Sequence, residues 1–312
     1  MKIIVTSPSF GKFNPDIYDE LQSEGYEVVK LIPYDRQVML QEVVDADAII
    51  VGLETMDEEI MATGKQLKII TKHGVGVDNI DLDAAMRCGI AVSNTPGTNN
   101  DAVADLAFGL MLSVARSIPD ANSNLKEEKW LRYDGNSVWG KTLGIVGLGA
   151  IGKGVAKRAK GFSMDVLGYD ITEPTQEEVE NGINRVSLVE LFQQADYISL
   201  HVPLNKFTKH MVGKEQFDMM KDSAILINTA RGGLIDEEEL KYALLNNRIK
   251  GCGLDVFDEE PPTNYDLLKL DNLVVTPHMA AYTIEAVQLT SETAANNVRK
   301  ALKNEGEVNV VN

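Results

Sequence analysis

The sequence predicts an α/β protein of two domains, each a doubly wound parallel β-sheet with helices on both faces. The chain has 312 residues, about twice the length of a usual domain. Short, continuously apolar segments alternate with helix-like segments, as in parallel sheets that are buried on both faces. Hydrophobic residues make up 44% and charged residues 25% of the chain, which excludes a disordered or fibrous protein because a sizeable core can form.

The first domain is predicted from five apolar strands and the helices between them. A helix is expected over 16–24, where Gly25 ends it. The five predicted strands are 2–6, 26–31, 48–52, 67–72 and 90–93.

Turn residues at 95–100 separate this domain from a second series of strands and helices. The apolar segment 102–115 is expected to be a long buried helix between the domains. Residues 122–139 are polar with scattered aromatics and are predicted to form an arm that reaches a partner subunit. The second series covers 142–276, and an amphipathic helix over 285–303 follows it.

Composition excludes several classes of partner. Lys and Arg number 30 against 47 Asp and Glu, which gives a formal net charge of -17. Such a field repels nucleic acid and anionic membranes, so neither is expected to bind. The two cysteines, Cys88 and Cys252, fit no metal-binding spacing and suit a reducing compartment, so no metal is expected. The sequence has no apolar run near 18 residues and no signal-like start, which predicts a cytoplasmic protein.

A glycine-rich loop predicts a dinucleotide-binding site. The strand 142–146 runs directly into Gly-Leu-Gly-Ala-Ile-Gly, and a helix-like segment follows at 153–160. The three glycines permit, in order, a tight turn, close approach of a pyrophosphate and close packing of helix on strand. The helix N-terminus adds N–H groups for the anion; a turn without a ligand is the alternative. The predicted cofactor-binding residues of the loop are Gly147, Gly149, Ala150, Ile151 and Gly152.

Asp170 predicts which dinucleotide binds. It follows the predicted strand 165–169 at close to the ~20-residue spacing expected for the acid that binds a ribose 2′-hydroxyl. A carboxylate repels a 2′-phosphate, and the next residues, Ile171, Thr172 and Glu173, include no arginine. NAD is therefore predicted in preference to NADP.

Five motifs in a fixed order resemble those of the D-isomer-specific 2-hydroxyacid dehydrogenases, and the resemblance covers nearly the whole chain. They are Lys-His-Gly-Val-Gly-Val-Asp-Asn-Ile-Asp at 72–81, the glycine loop, Ile-Asn-Thr-Ala-Arg-Gly-Gly at 227–233, Gly-Leu-Asp-Val-Phe-Asp-Glu-Glu-Pro at 253–261 and Thr-Pro-His at 276–278.

The resemblance implies a split domain arrangement and an active site in the cleft between the domains. A Rossmann NAD-binding domain with a dimerisation arm would cover 98–284. It would be inserted in a smaller, flavodoxin-like substrate-binding domain formed by 1–97 and the returning helix of 285–312. A homodimer formed largely through the cofactor domains is also implied.

Three side chains are predicted to be catalytic. Arg231 follows a predicted strand, and its guanidinium can hold a carboxylate and the neighbouring carbonyl oxygen with two directed hydrogen bonds. His278 can exchange a proton with the substrate oxygen near neutral pH. By resemblance, Glu260 rather than Glu259 is its partner, which would orient the imidazole and stabilise its protonated form. A surface arginine in a salt bridge and a structural histidine are the alternatives.

Further roles come from the resemblance alone. Asp255 would hold the nicotinamide carboxamide beside Ala230, which belongs to the cofactor site. The backbone N–H groups of Val75 and Gly76 would bind the substrate carboxylate. The sequence departs from the family pattern at Ala280, where glycine is usual.

Two cations point to a substrate class. Lys72 and Arg132 lie where the phosphoglycerate dehydrogenase branch of the family carries basic residues, and together they could bind a phosphate ester. The leading hypothesis is NAD-dependent oxidation of D-3-phosphoglycerate to 3-phosphohydroxypyruvate. The alternatives are reduction of glyoxylate, hydroxypyruvate or another small 2-oxo acid and, from another class, an NAD(H)-sensing corepressor-like binding protein. A Lys and an Arg on solvated faces are the alternative interpretation of the two cations.

Overall fold

The computed structural model describes residues 1–312, and the chain divides into two compact units. One unit consists of Met1–Asn99 with Tyr282–Asn312, and the other of Asn100–Ala281. The sequence had placed these divisions after residues 97 and 284.

Twelve short strands form one parallel sheet in each unit. The strands are β1 (Lys2–Val5), β2 (Glu27–Lys30), β3 (Ala48–Val51), β4 (Ile69–Lys72), β5 (Ala91–Ser93), β6 (Thr142–Val146), β7 (Asp165–Tyr169), β8 (Ile183–Arg185), β9 (Tyr197–Leu200), β10 (Ile225–Asn228), β11 (Gly251–Leu254) and β12 (Leu273–Val275).

The strand orders identify both sheets as doubly wound. The first unit has the order β2-β1-β3-β4-β5, and the second has β12-β11-β10-β9-β6-β7-β8, with every neighbouring pair parallel. The first is the flavodoxin-like order, and the second is the Rossmann order extended by one strand. The predicted fold class is confirmed.

Thirteen α-helices connect the strands. They are α1 (Asp16–Ser23), α2 (Arg36–Glu42), α3 (Glu58–Thr63), α4 (Leu82–Cys88), α5 (Asn100–Ala115), α6 (Ile118–Lys126), α7 (Ala150–Ala159), α8 (Gln176–Glu180), α9 (Leu188–Gln194), α10 (Lys214–Met219), α11 (Glu237–Leu245), α12 (Tyr265–Leu268) and α13 (Ile284–Lys303). The predicted arm over 122–139 begins inside α6, and from 127 to 141 the chain forms neither helix nor strand.

Both faces of the first sheet are covered at its central strands β1, β3 and β4, which explains why these strands are mostly apolar without alternation. Ile3 and Val5 pack with Ala294 and Val298 of α13, whereas Ile4 belongs to the apolar cluster on the opposite face. Successive side chains of a strand point to opposite faces, so a central strand such as β3 has apolar residues at every position, whereas the edge strand β2 has charged residues at both ends.

Helix α5 is buried along most of its length within the second unit, where it packs on β10, β11 and α7. None of the helices taken singly has both the length and the apolar composition of a membrane span; only α5 and α6 taken together have them, and these two helices are bent by 64° relative to each other.

Candidate active site

The glycine loop joins β6 to α7, and two of its glycines are required by packing. Gly147 has φ +94, and a Cβ there would lie 2.5 Å from the carbonyl oxygen of His201. A Cβ on Gly152 would lie 2.0 Å from the carbonyl oxygen of Gly147. Around Gly149, in contrast, nothing lies within 4 Å of a built Cβ. The first and third glycines therefore close the turn, and the second leaves the backbone open to a ligand.

The loop ends at the N-terminus of α7, whose first turn contains Ala150 and Ile151. Gly149 and Ala150 are exposed. The N–H groups of a first helical turn have no intrahelical partners, so this end of α7 can accept an anion.

Asp170 follows β7 and braces the same loop. One carboxylate oxygen accepts the N–H of Leu148 at 2.7 Å, and the other accepts the N–H and the hydroxyl of Thr172 at 2.9 and 3.0 Å. Burial alone would raise the pKa of Asp170, but these hydrogen bonds and the charge of Arg185 lower it. The carboxylate is thus ionised and lines a cavity of about 390 Å³ together with Tyr169 and Arg185.

The tertiary structure brings an arginine to Asp170 that the local sequence did not reveal. Arg185 donates to the backbone oxygen of Asp170 at 3.0 Å, and its guanidinium holds both oxygens of the buried Glu178 at 2.6 and 3.0 Å. The Glu178 carboxylate neutralises this cation, so its presence does not by itself favour a 2′-phosphate.

His278 and Glu260 form the pair that the sequence predicted. His278 Nδ1 and Glu260 Oε2 are 2.6 Å apart, and Glu260 Oε1 accepts the N–H of Phe257 at 3.1 Å. Burial by itself would raise the pKa of Glu260, but the hydrogen bond and the charge of His278 lower it. An ionised Glu260 fixes the proton on Nδ1, which leaves Nε2 as the ring nitrogen that can exchange a proton with a substrate.

Arg231 lies beside this pair because its loop packs closely on the loop after β11. The Asn228 amide closes the Arg231 loop by accepting the N–H of Ala230 at 3.0 Å and donating to the Arg231 carbonyl at 2.7 Å. A Cβ on Gly232 would lie 1.9 Å from the backbone carbon of Phe257. Arg231, Glu260 and His278 therefore follow β10, β11 and β12, three adjacent strands, at the carboxyl edge of the sheet, where α/β proteins bind ligands.

Asp255 holds the histidine loop in place. Its carboxylate accepts the Thr276 hydroxyl at 2.6 Å and the N–H groups of Met279 and Ala280 at 2.9 and 2.8 Å. Its side chain is fully buried, and burial raises its pKa although these hydrogen bonds oppose the shift. Ala280 joins through its backbone, so the methyl group that replaces the usual glycine leaves this contact intact.

In the first unit, Lys72 ends β4 and its ammonium is used within the protein. Nζ donates to the Gly52 carbonyl at 2.5 Å and to Asn79 Oδ1 at 2.8 Å, and the residue is 6% exposed. The predicted carboxylate-binding residues Val75 and Gly76 follow it and are half-buried. Lys72 thus ties their loop to the loop after β3.

His73 precedes the same loop and is held by two hydroxyls. Its ring nitrogens lie 3.3 Å from Ser9 Oγ and 3.0 Å from Ser291 Oγ. Burial, aided by the charge of Lys72, lowers the pKa of His73 to about 4, so the ring is neutral at pH 7. Arg132, the other predicted phosphate ligand, lies exposed in the second unit in the segment without helix or strand.

Known proteins resemble this chain in sequence over most or all of its length. The family model described as D-isomer specific 2-hydroxyacid dehydrogenase, NAD binding domain, matches residues 108–280. The whole chain is 42% identical to a D-3-phosphoglycerate dehydrogenase of Methanocaldococcus jannaschii and covers 59% of that protein. Over 89% of its length it is 44% identical to a glyoxylate reductase of Thermococcus litoralis, of which it covers 87%.

A solved structure matches the whole chain as well. The crystal structure of a glyoxylate reductase from Paecilomyes thermophila superposes with a TM-score of 0.90 at 32% identity, and the match covers 100% of this chain and 98% of that one. The chain therefore spans most of the matched glyoxylate reductases but only about three-fifths of the matched phosphoglycerate dehydrogenase.

Proposed function

The chain belongs to the family of D-isomer-specific 2-hydroxyacid dehydrogenases, which are NAD-dependent oxidoreductases, and from this premise we propose that it interconverts a short D-2-hydroxy acid and its 2-oxo acid with His278 as the acid–base group. The observation that carries the proposal is the 2.6 Å contact between His278 Nδ1 and the ionised Glu260. It orients the imidazole ring and leaves its other nitrogen, Nε2, for the substrate.

The residues present fit NAD. The open backbone at Gly149 admits a pyrophosphate, and Asp170 offers an ionised carboxylate to the ribose hydroxyl. Thr229, at the end of β10 beside Ala230, has a buried hydroxyl oxygen without a hydrogen-bond partner, a state that a bound polar ligand would relieve. When bound, the cofactor would supply a hydride to C2 of the substrate as NADH, or accept one from C2 as NAD.

The other side chains orient the substrate and handle its proton. In reduction, His278 Nε2 would give its proton to the carbonyl oxygen, and in oxidation it would take the hydroxyl proton back. Arg231 holds the carboxylate and the reacting oxygen with two directed hydrogen bonds. By the family resemblance, the N–H groups of Val75 and Gly76 are further proposed donors to the substrate carboxylate.

For the substrate, the geometry favours a small unphosphorylated 2-oxo acid, glyoxylate or hydroxypyruvate, over a phosphate ester. Lys72, one of the two cations expected to bind a phosphate, is almost completely buried and donates to Gly52 and Asn79. Binding a phosphate there would require these hydrogen bonds to be exchanged. The relatives named glyoxylate reductase are also matched over most of their length.

D-3-phosphoglycerate remains the second candidate, because the match to the archaeal phosphoglycerate dehydrogenase extends over the whole chain and Arg132 is exposed. We expect kcat/KM to be highest for glyoxylate or hydroxypyruvate with NADH in a panel that includes D-glycerate and D-3-phosphoglycerate with NAD. If the protein prefers D-3-phosphoglycerate, and Lys72→Met loses this preference but retains glyoxylate reduction, D-3-phosphoglycerate becomes the favoured substrate. Absence of turnover on every acid would refute the proposed function itself.

We also propose that the chain forms a homodimer through the arm at 122–139. The arm exposes several large apolar side chains, with Trp130 76% and Trp139 65% exposed, and exposed apolar side chains that cluster in one segment are typical of interaction sites. Light scattering after gel filtration should give a dimer, and Trp130→Ser with Trp139→Ser should weaken it. Phe207→Ser is the control, because Phe207 is 82% exposed in the same unit but outside the arm. A monomeric wild-type protein would refute the proposal.

A further inference from the structure

We propose that Asn94, Thr95 and Asn309 are positioning residues that fix the two peptide groups whose N–H bonds receive the substrate carboxylate. These are the peptide groups between Gly74 and Val75 and between Val75 and Gly76. The inference rests on the proposed binding role of that loop and extends it to residues that do not touch the substrate.

Thr95 holds the first peptide group. The carbonyl oxygen of Gly74 accepts the N–H of Thr95 at 3.0 Å and its hydroxyl at 2.9 Å. The same hydroxyl oxygen accepts the N–H of Gly74 at 3.1 Å. Because a trans peptide is planar, an anchored carbonyl points the N–H of the next residue in the opposite direction. The direction of the Val75 N–H is therefore set by Thr95.

Asn94 holds the second peptide group in the same way. Its Nδ2 donates to the carbonyl oxygen of Val75 at 2.7 Å, which sets the direction of the N–H of Gly76. Asn94 is 9% exposed. Adjacent residues after β5 thus anchor the two successive peptide groups of the loop.

The backbone conformation of the loop does not by itself fix the directions of the Val75 and Gly76 N–H groups. Gly74 has φ +147, which glycine adopts freely but does not prefer over its other conformations. Without anchored carbonyls, both N–H groups would have to be oriented each time a carboxylate binds. Donors that are already aligned bind an anion without that cost, and a hydrogen bond accepted by the carbonyl polarises the peptide so that its N–H is a stronger donor.

Asn309 stabilises the orientation of the Asn94 amide that the Val75 carbonyl requires, because that carbonyl can only accept a hydrogen bond. Asn309 Nδ2 donates to Asn94 Oδ1 at 2.5 Å, so the Asn94 oxygen faces Asn309 and its NH₂ group faces Val75. The backbone oxygen of Asn94 also accepts Asn297 Nδ2 at 3.0 Å. A flipped Asn94 would oppose two oxygens at Val75 and two donors at Asn309.

The segment 308–312 is held against β5 independently of Asn94. Val310 pairs with Ser93 in an antiparallel bridge, and the N–H of Val311 donates to the Val92 carbonyl at 2.8 Å. The Asn312 side chain accepts the N–H of Val92 and donates to the Ile90 carbonyl, each at 2.8 Å. Asn309 is itself exposed, so its side chain can be changed without opening a cavity.

The experiment compares Asn309→Ala, Asn309→Asp and the control Asn312→Asp. Alanine frees the Asn94 amide, and aspartate reverses it, because a carboxylate facing Asn94 attracts the NH₂ group away from Val75. Asn312→Asp adds the same charge to the same segment without contact to Asn94. The measurements are kcat and KM for the best acid of the substrate panel, the Kd of NADH by fluorescence, and Tm.

We expect KM for the acid to rise about threefold in Asn309→Ala and about tenfold in Asn309→Asp, the effect of losing one hydrogen bond and of opposing it. The Kd of NADH should not change in either variant, and Asn312→Asp should leave KM within about twofold of wild type. Unchanged KM in both Asn309 variants of an active enzyme would overturn this inference alone, as would an equal rise in Asn312→Asp. An inactive wild-type protein would instead refute the proposed function and this inference with it.

Discussion

Replacing Glu260 by glutamine tests the acid–base assignment most directly. The change keeps the size of the side chain and leaves an amide oxygen for the N–H of Phe257, now 3.1 Å from Oε1. The amide NH₂ group then faces His278 Nδ1, which must become an acceptor. The neutral ring would carry its proton on Nε2, the tautomer that cannot accept the hydroxyl proton in oxidation, and the charged ring would lose its counter-charge.

The size of the effect follows from the hydrogen bond that is lost. A hydrogen bond to a charged group contributes about 1.5–3 kcal/mol, and each 1.36 kcal/mol changes a rate about tenfold, so kcat/KM should fall roughly 10- to 100-fold in both directions. The hydrogen bond and charge of His278 lower the pKa of Glu260 despite its burial, so its carboxylate is ionised at neutral pH. The fall in kcat/KM should therefore be observed at neutral pH.

Glu259→Gln is the matched control, because Glu259 accepts the Thr263 hydroxyl at 2.6 Å and does not contact His278. Steady-state kinetics in both directions between pH 5 and 9 and NADH binding by fluorescence measure the result. A Glu260→Gln enzyme within about threefold of wild type, or an equal loss in Glu259→Gln, would refute the assignment. NADH affinity should be unchanged in both variants, since neither carboxylate lies in the glycine loop.

Three further predictions concern the cofactor loop, the response to acid and the substrate arginine. Gly149→Ala should leave Tm unchanged and weaken NADH binding at least tenfold, because its methyl group enters open space next to the loop. Gly152→Ala should instead lower Tm or prevent folding, because its Cβ would lie 2.0 Å from a carbonyl oxygen. Calorimetry and NADH titration distinguish the two effects. The pKa of His73 is about 4 in the folded protein and about 6.5 when unfolded, so the unfolded chain binds the proton first as the pH falls. The free energy of unfolding should therefore be constant above pH 6.5 and decline by a few kcal/mol toward pH 4. Urea denaturation should show a smaller decline in His73→Asn, and an equal decline would contradict this cause. Arg231→Lys should raise KM for the acid about tenfold or more with NADH affinity retained, since an ammonium cannot form the paired hydrogen bonds of a guanidinium; wild-type KM in this variant would exclude Arg231 from the carboxylate.

Local sequence patterns were sufficient to predict the fold and part of the candidate site. The apolar strands β1, β3 and β4 are buried at every position, so their composition alone indicated a sheet covered on both faces. Contacts within a few residues and with one neighbouring strand require glycine in the glycine loop, and this loop lies between β6 and α7 as predicted. The less regular helices, such as α2 and α3, were not predicted individually, because six or seven residues provide too few turns for a clear period.

Other features depend on contacts between residues far apart in the chain, and only the tertiary structure decides them. Arg185 reaches Asp170 because β8 pairs with β7 in the sheet, and Asn309 reaches Asn94 because the C-terminal segment returns to β5. The same applies to Lys72, whose charge suggested a phosphate ligand and whose ammonium is instead bound to Gly52 and Asn79. A residue type fixes which hydrogen bonds a side chain can form, whereas the fold fixes which partners lie within the roughly 3 Å that a hydrogen bond requires.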